Sequence, residues 1–431
     1  MAYKIINLLV GAVLSLVLLL QVALASPSLP DERVEVPTGE ARATTADDLR
    51  PHRSIGGAYN EVWSYTFLLN DGMQATMSLS KADLGSIMSP VSGAEFSISG
   101  FDGRSYRAPK QYADDDLVFT PSTNRLQVHP DIFFEGALPQ RHRVYFKAAK
   151  HGVQFEVDLR FSAIEPGLTW GDGVFHLGSE RVGMFIHIPY AEVRGTISID
   201  GVRKEVRGTA YMDHTFQSDF ATKLVRSAYR YVQHSRGMEV GYFIAPASRY
   251  EDRVIGLAAV RERGRFRLRK PEAIQVVSTR PGLGVEVPKQ LAVRYDNGAQ
   301  TILNRERDQQ AFSALEELGS LQRAVVKRYI GGEAVVFRGW GTTNQRGRIV
   351  AIGKQIADYN CIDTGLFVCT EALMDALADV FEERGDASLS DGVQRLAAAG
   401  RMTVLDIGDG FWQDVDTPEM LAEAERRLAD G

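Results

Sequence analysis

The sequence predicts a mainly β protein: two antiparallel β-barrels in tandem, followed by a small α/β segment. Three observations carry this reading. From Glu61 to about Gln345 apolar residues recur with period two, the mark of half-buried strands. Turn signals punctuate that pattern at short intervals, as barrels and sandwiches require. After Arg346 the periodicity and the charge both change: residues 346–431 hold 8 basic and 17 acidic residues, whereas residues 26–345 hold 40 and 38.

Composition sets the outer bounds. The 431 residues carry a net charge of −6, with 44% hydrophobic and 24% charged residues. This is ordinary globular composition, and it excludes a disordered chain, a collagen-like repeat and a disulfide-dense miniprotein. A mild acidic balance also argues against a nucleic-acid partner, which requires a clustered basic face. All eight histidines fall between His52 and His234.

At the N-terminus, Lys4 is the only charge before Asp31. An apolar run from Ile5 to Leu20 follows it, with small residues at Ala23 and Ala25. That is the pattern of a secretory signal, residues 1–25, cleaved after Ala25. The run also approaches the ~20 residues that span a bilayer, so an uncleaved membrane anchor is the alternative. Either way the body is expected outside the inner compartment, periplasmic or extracellular. Residues 26–55 are rich in Pro, Thr, Ala and charge without apolar periodicity, and read as a flexible leader.

The first barrel is assigned to residues 56–223 and the second to 224–345. Val153-Gln154-Phe155-Glu156-Val157-Asp158-Leu159-Arg160-Phe161 alternates without a fault. Met73, Ala75, Met77 and Leu79 repeat the pattern, as do Val182, Met184, Ile186 and Ile188. Turns are expected at Asn70-Asp71-Gly72, Asp102-Gly103, Pro166-Gly167, Asp200-Gly201 and Asp296-Asn297-Gly298, and one helix near Asp308–Leu321. The most polar-aromatic stretch, Gly208 to Asp219, is followed by Tyr229, Tyr231, Gln233, His234 and Tyr242. On an extended strand Met212, His214 and Phe216 face one way and Asp213 and Thr215 the other, so Asp213 and His214 do not meet at one point.

Residues 61–345 resemble the tandem lipocalin-like group that includes carotenoid hydratases and the fungal survival-factor proteins. The opening Glu61-Val62-Trp63-Ser64-Tyr65-Thr66-Phe67 followed by Asp71-Gly72 is similar to the survival-factor branch, as is His214 with Gln217. Asp213-His214 within Gly208-x-Ala210-Tyr211-Met212-Asp213-His214 resembles the signature shared at the end of the first barrel. The hydratase branch has Asp-His-x-Trp, where this chain has Phe216. The resemblance implies an apolar cavity holding a lipid or isoprenoid, with no cofactor for the barrels. His214, Phe216, Gln217, Tyr229, Tyr231 and Tyr242 are the expected ligand-binding residues. In an enzymatic member, of hydratase or isomerase type, Asp213 or His214 would be the catalytic proton donor, and a buried Asp213 would have to stay protonated.

In the tail, Thr370 is expected to cap a helix with Leu373, Met374, Leu377 and Phe381 on one face, and Thr417-Pro418 to start another lined by Leu421, Ala424 and Leu428. Cys361 and Cys369 bracket what reads as one strand. Eight steps would hold them about 26 Å apart, whereas a disulfide needs Cα atoms within ~7 Å. Two free, buried thiols are therefore expected, barring a bend at Gly365.

Three stretches of the tail, Gly347 to Lys354, Ile362 to Phe367 and Phe411 to Glu419, resemble in order the C-terminal portion of sugar- or inositol-phosphate nucleotidyltransferases. Ser388-Leu389-Ser390-Asp391-Gly392-Val393 is similar to the inositol-phosphate cytidylyltransferase branch. The resemblance implies that Lys354 contacts the sugar-phosphate acceptor, that Asp363 belongs with it to the nucleotidyltransferase-like residues, and that Asp414 holds Mg²⁺, needed only if the tail is active. The family's Gly-rich Leu-Ala-Ala-Gly-x-Gly-x-Arg loop has no counterpart in the sequence. Three readings stand at this point: an exported binder or carrier of an apolar ligand with a vestigial tail, a hydratase or isomerase acting through Asp213 and His214, or a cytidylyltransferase-like segment completed in trans.

Overall fold

The computed structural model describes residues 33–52, 58–84, 89–235, 238–313, 315–316, 320–332, 334–348, 367, 369–405, 415 and 417–430. The expected signal segment lies outside the described residues. Among the described residues no helix is long and apolar enough to cross a membrane.

Antiparallel strands dominate, as the period-two pattern requires. The strand Ala58–Leu69 shows the rule most clearly: Tyr59, Glu61, Trp63, Tyr65, Phe67 and Leu69 are buried, and the residues between them are half-buried. Dipeptides that tolerate positive φ close the hairpins. At the turn between Glu180–Ile199 and Val202–Gln217, Asp200 has φ 50° and Gly201 φ 83°. Successive left-handed residues are what a tight two-residue hairpin demands, and only glycine adopts the second without strain.

The first sheet contains fifteen strands. Its path runs from Arg104–Ala113 through Val91–Phe101, Gln74–Leu84 and Ala58–Leu69 to Val202–Gln217, Glu180–Ile199, Val153–Ser162 and His142–Lys150. It ends on the short strands Ile132–Glu135, Arg125–His129 and Val118–Thr120. The sheet wraps round a core of Trp63, Phe67, Phe96, Phe146 and Leu159, all fully buried. Lys110 near one end of the path donates to the Ala149 carbonyl at 3.1 Å, so the sheet curls back on itself.

The two longest strands, Glu180–Ile199 and Val202–Gln217, form a wall with a core on each side. Ile188, Val193, Ala210 and Met212 pack into the first core, whereas Met184, Ile186 and Tyr211 pack into a second with Val240, Ile244 and Leu257. Ile186 pairs with Asp213 and Ile188 with Met212, so His187 is the extra residue of a β-bulge.

Residues 33–52, expected as leader, contribute two short strands. Val34–Glu35 pairs with Val174–Leu177, and Ala41–Ala43 pairs with Leu168–Trp170. Leu49 is buried in the first core.

Beyond residue 224 the chain forms two sheets. Four strands, Val225–Gln233, Glu239–Pro246, Ile255–Glu262 and Arg265–Arg269, make a meander. Pro271–Gly282, Val285–Tyr295, Gln300–Ser313, Val335–Arg348 and Thr403–Leu405 make the second sheet. Phe243, Ala258, Val293 and Tyr295 form a core between them. The last strand comes from the acidic tail, so the change of composition at residue 346 does not coincide with a break in the sheet.

The helix expected near Asp308–Leu321 lies later, at Ser320–Tyr329. Residues up to Ser313 are instead a strand, because Val335–Arg348 supplies a ladder that places Phe312 opposite Val336. Tertiary pairing overrides local helix propensity here.

Apart from the strand Thr403–Leu405, the described tail is mostly helical. Glu371–Arg384 begins after Thr370 and stops at Gly385, whose φ of 75° lets its N–H reach the Phe381 carbonyl at 2.7 Å. Its buried stripe is Leu373, Ala376 and Val380, while Met374 and Phe381, expected inside, are exposed. The reason is the partner helix Leu389–Ala398, which offers Val393 and Leu396 to the Leu373–Ala376 side. Ser388 and Asp391 close a capping box: the Ser388 N–H donates to Asp391 at 2.9 Å and the Asp391 N–H to Ser388 Oγ at 3.3 Å. A third helix, Pro418–Asp430, starts at proline, with Ala424 buried and Leu421 exposed. Cys369 is free but exposed rather than buried, and Cys361 lies outside the described residues.

Candidate functional site

Alternation along Ala58–Leu69 carries Glu61 into a row of buried aromatics, where an acid must find donors. It finds three. The His52 N–H donates to Glu61 Oε1 at 2.9 Å, His52 Nδ1 lies 2.9 Å from the same oxygen, and His214 Nε2 lies 2.8 Å from it. Glu61 and His214 side chains are both fully buried. Burial by itself raises the Glu61 carboxyl, but the hydrogen bonds from His214 and His52 outweigh it and hold the group below the usual glutamate value.

His214 is held on every side. Its Nδ1 lies 2.9 Å from the Asp48 carbonyl, an acceptor only, so Nδ1 carries a proton. Trp63 stacks on the ring at 4.5 Å between centroids, and Phe185 lies 5.7 Å away. Trp63 in turn donates from Nε1 to the Leu49 carbonyl at 3.0 Å, and Asp48 is gripped by Arg42 through two contacts of 2.7 Å. The segment 42–52 is thus fastened over the cluster by hydrogen bonds as well as by packing.

His52 is the outermost member. Its side chain is 30% exposed and packs on Phe216 at 4.2 Å. His187, on the bulge, stacks against Phe185 and His214 with neither ring nitrogen in a hydrogen bond. Burial pushes its pKa well below the ordinary histidine value.

Asp213 faces the opposite side of the wall, as strand alternation requires. Arg230 Nη2 donates to its Oδ1 at 2.8 Å and Arg230 Nε lies 2.6 Å from Oδ2. Burial raises the Asp213 pKa, with the Arg230 charge working against it. The remaining ligand-binding residues expected from sequence are scattered around these two points. Phe216 belongs to the His52 cluster, while Gln217 sits half-buried at the strand end between Asn60 and Val182. Tyr242 lies under Arg230 with the guanidinium 4.6 Å from its ring centre. Tyr231 donates to Glu239, a fully buried carboxylate that also accepts from Tyr295 at 2.7 Å and Thr301 at 2.9 Å. Tyr229 is half-buried opposite Phe243. The tail residues Lys354, Asp363 and Asp414 lie outside the described residues.

Sequence reasoning missed Glu61, His52 and His187 as site residues. The phase of Ala58–Leu69 is a readable signal for Glu61. His52 sits in a stretch without periodicity, and His187 owes its place to a bulge.

Two clefts stand out on the surface of the described residues. One, of about 460 Å³, is lined by Leu68, Tyr190, Glu192, Arg194 and Arg207 among others. The other, of about 450 Å³, has Val36, Trp170, Phe175 and Val254 as its apolar wall, with Arg253 and Lys270 beside them. It lies where the two halves of the chain meet. Lys270 Nζ stands 4.6 Å from the Trp170 ring centre, and Trp170 Nε1 is buried without a hydrogen-bond partner. His214 and the tyrosines named from sequence line neither cleft.

Two further histidines make stability depend on pH. Burial lowers His142 to about 3 and His234 to about 4. Both rings are neutral in the fold, whereas the unfolded chain takes up protons below its ordinary histidine pKa of about 6.5. Stability is therefore complete above that pH and falls as pH drops toward 4. By pH 4 the loss is about 6 kcal/mol for the two together, since each tenfold difference in proton affinity is worth about 1.4 kcal/mol. Urea midpoints at pH 7 and 4.5 check this, and His234→Gln should flatten the slope.

No family model matches the chain. Three curated relatives are each described as a bifunctional IPC transferase and DIPP synthase. The Archaeoglobus fulgidus protein is 34% identical over 82 residues, 19% of this chain and 16% of its own length. The Rubrobacter xylanophilus protein is 35% identical over 85 residues, 19% of each chain. The Aquifex aeolicus protein is 24% identical over 143 residues, 31% of this chain and 32% of its own. The chain thus spans a third or less of the curated relatives it matches. Among solved structures, a putative AttH from Nitrosomonas europaea aligns over 72% of this chain and 98% of its own, at 17% identity and TM-score 0.48. Kievitone hydratase from Nectria haematococca aligns over 74% and 98%, at 12% identity and TM-score 0.42. CghA with Sch210972 aligns over 73% and 91%, at 13% identity and TM-score 0.45.

Proposed function

We propose that the chain is an exported protein that binds an apolar ligand with an anionic end, and that its tail serves structure rather than nucleotidyl transfer. The cleft at the junction of the two halves is the observation that carries this reading. Its volume of about 450 Å³ suits a small ligand. Val36, Trp170, Phe175 and Val254 offer an apolar surface, and the cations Arg253 and Lys270 stand beside it, with Asp296 as an acidic member of the same lining. A third cation, Arg294, is already paired with Glu272 at 3.2 Å. The ligand's tail would lie on Trp170 and Phe175, with its acidic group against Lys270 and Arg253.

The alternative, proton transfer by Asp213 and His214, is less well supported. Arg230 engages both oxygens of Asp213, Glu61 engages His214, and the two side chains serve opposite faces of one wall.

Solvent extraction of the purified chain followed by mass spectrometry, with palmitate as a test ligand, examines the proposal. Lys270→Glu should weaken palmitate binding at least tenfold, because a lost charged hydrogen bond is worth about 1.5–3 kcal/mol. An empty extract together with no palmitate binding overturns the reading. Export is tested by sequencing the secreted protein, whose first residue should be Ser26, and the tail by titrating CTP and Mg²⁺, from which no heat is expected.

A further inference from the structure

We propose that His52, Glu61 and His214 form a binding site for a borderline divalent transition ion of the Zn²⁺ type. This site is separate from the ligand cleft and shares no residue with it. Three donor atoms, His52 Nδ1, Glu61 Oε1 and His214 Nε2, lie within 4.8 Å of one another. Two imidazoles and one carboxylate are a donor set that first-row transition ions accept, whereas Ca²⁺ and Mg²⁺ prefer oxygen alone.

The surroundings of these atoms fit the role. A ligating histidine is normally fixed by a hydrogen bond from its other nitrogen to a carbonyl or carboxylate. His214 has that bond, from Nδ1 to the Asp48 carbonyl at 2.9 Å, which fixes the ring so that Nε2, on losing its proton as an ion binds, presents its lone pair beside Glu61 Oε1. Asp48 is itself held by Arg42 and by the Thr45 N–H at 2.7 Å, so the carbonyl does not drift. Trp63 and Phe185 limit rotation of the His214 ring. His52, with 30% of its side chain exposed, provides the route of entry and leaves coordination positions facing outward.

The fit in size is close. A cation about 2.0–2.1 Å from each donor needs the donors roughly 3 Å apart or slightly more. The present separations are 2.8 and 2.9 Å, so the three side chains have to open by a few tenths of an ångström. His52 stands at the surface and can supply most of that movement. Three protein ligands with one of them, His52, partly exposed are the count found in reactive metal centres, whereas closed structural sites use four.

The test uses the full chain, stripped with a chelator and titrated with Co²⁺ alone as a visible probe. The expected result is one Co²⁺ per chain, with the ligand-field bands of nitrogen and oxygen coordination. His52→Ala should weaken binding at least tenfold while leaving the far-UV spectrum of the metal-free protein unchanged. Glu61→Gln should do the same if it folds, and His129→Ala, at a half-buried histidine outside the cluster, should have no effect. Absence of stoichiometric Co²⁺ binding by the wild type overturns the proposal. So does undiminished binding in His52→Ala, or an equal loss in His129→Ala.

Discussion

Glu61→Ala is expected to cost about 3–5 kcal/mol of unfolding free energy, the range for removing one partner of a fully buried ion pair. The size follows from what the carboxylate leaves behind. His214 Nε2, His52 Nδ1 and the His52 N–H all point at it, and the alanine leaves these donors facing a buried space without the carboxylate that accepts from them. Glu61→Gln keeps the volume and one oxygen acceptor, so it should lose less. Urea unfolding at pH 7 measures both variants. A loss below about 1 kcal/mol for the alanine variant would place the pair in the class of solvated surface ion pairs, contrary to the geometry.

Trp63→Ala should have a comparable effect, about 3–5 kcal/mol, from a large side chain lost in a packed core. A second consequence separates it from an ordinary cavity mutation. Trp63 Nε1 holds the Leu49 carbonyl, so the substitution also frees the segment that runs over the cluster. Trp63→Phe should keep most of the packing but lose that anchor. Limited proteolysis ought then to cut between residues 42 and 52 in both variants, although only the alanine variant loses most of its stability. Resistance of that segment in Trp63→Phe would show that Leu49 packing alone holds it.

The strands were legible because alternation is a local property: each of Tyr59, Trp63, Tyr65 and Phe67 announces its face by its neighbours. The same alternation correctly separates His214 from Asp213. The site was less legible. Its Glu61–His214 contact joins positions 153 residues apart, and no local pattern encodes such a pairing. His52 lies among residues with no period, where order comes from hydrogen bonds made by Asp48 and Leu49. At His187 the bulge adds a residue that strict alternation does not anticipate. The end of the Gln300–Ser313 strand, from Asp308 on, was hidden for a related reason, since its partner there, Val335–Arg348, arrives only after a helix. In the tail, helical periodicity marked the helices but not which apolar residues of Glu371–Arg384 would meet Leu389–Ala398.

The wall built from Glu180–Ile199 and Val202–Gln217 makes registration errors unusually costly. A strand with one wet face can slip by a residue and lose a single set of contacts. Here both faces are occupied, with Met212 on one side and Tyr211 on the other. A slip of one position would send Tyr211 and Asp213 into the first core, expel Met212 and His214 into the second, and separate Asp213 from Arg230 and His214 from Glu61 together. Neither half could then pack against a misaligned wall, so a single register of this hairpin serves both cores at once.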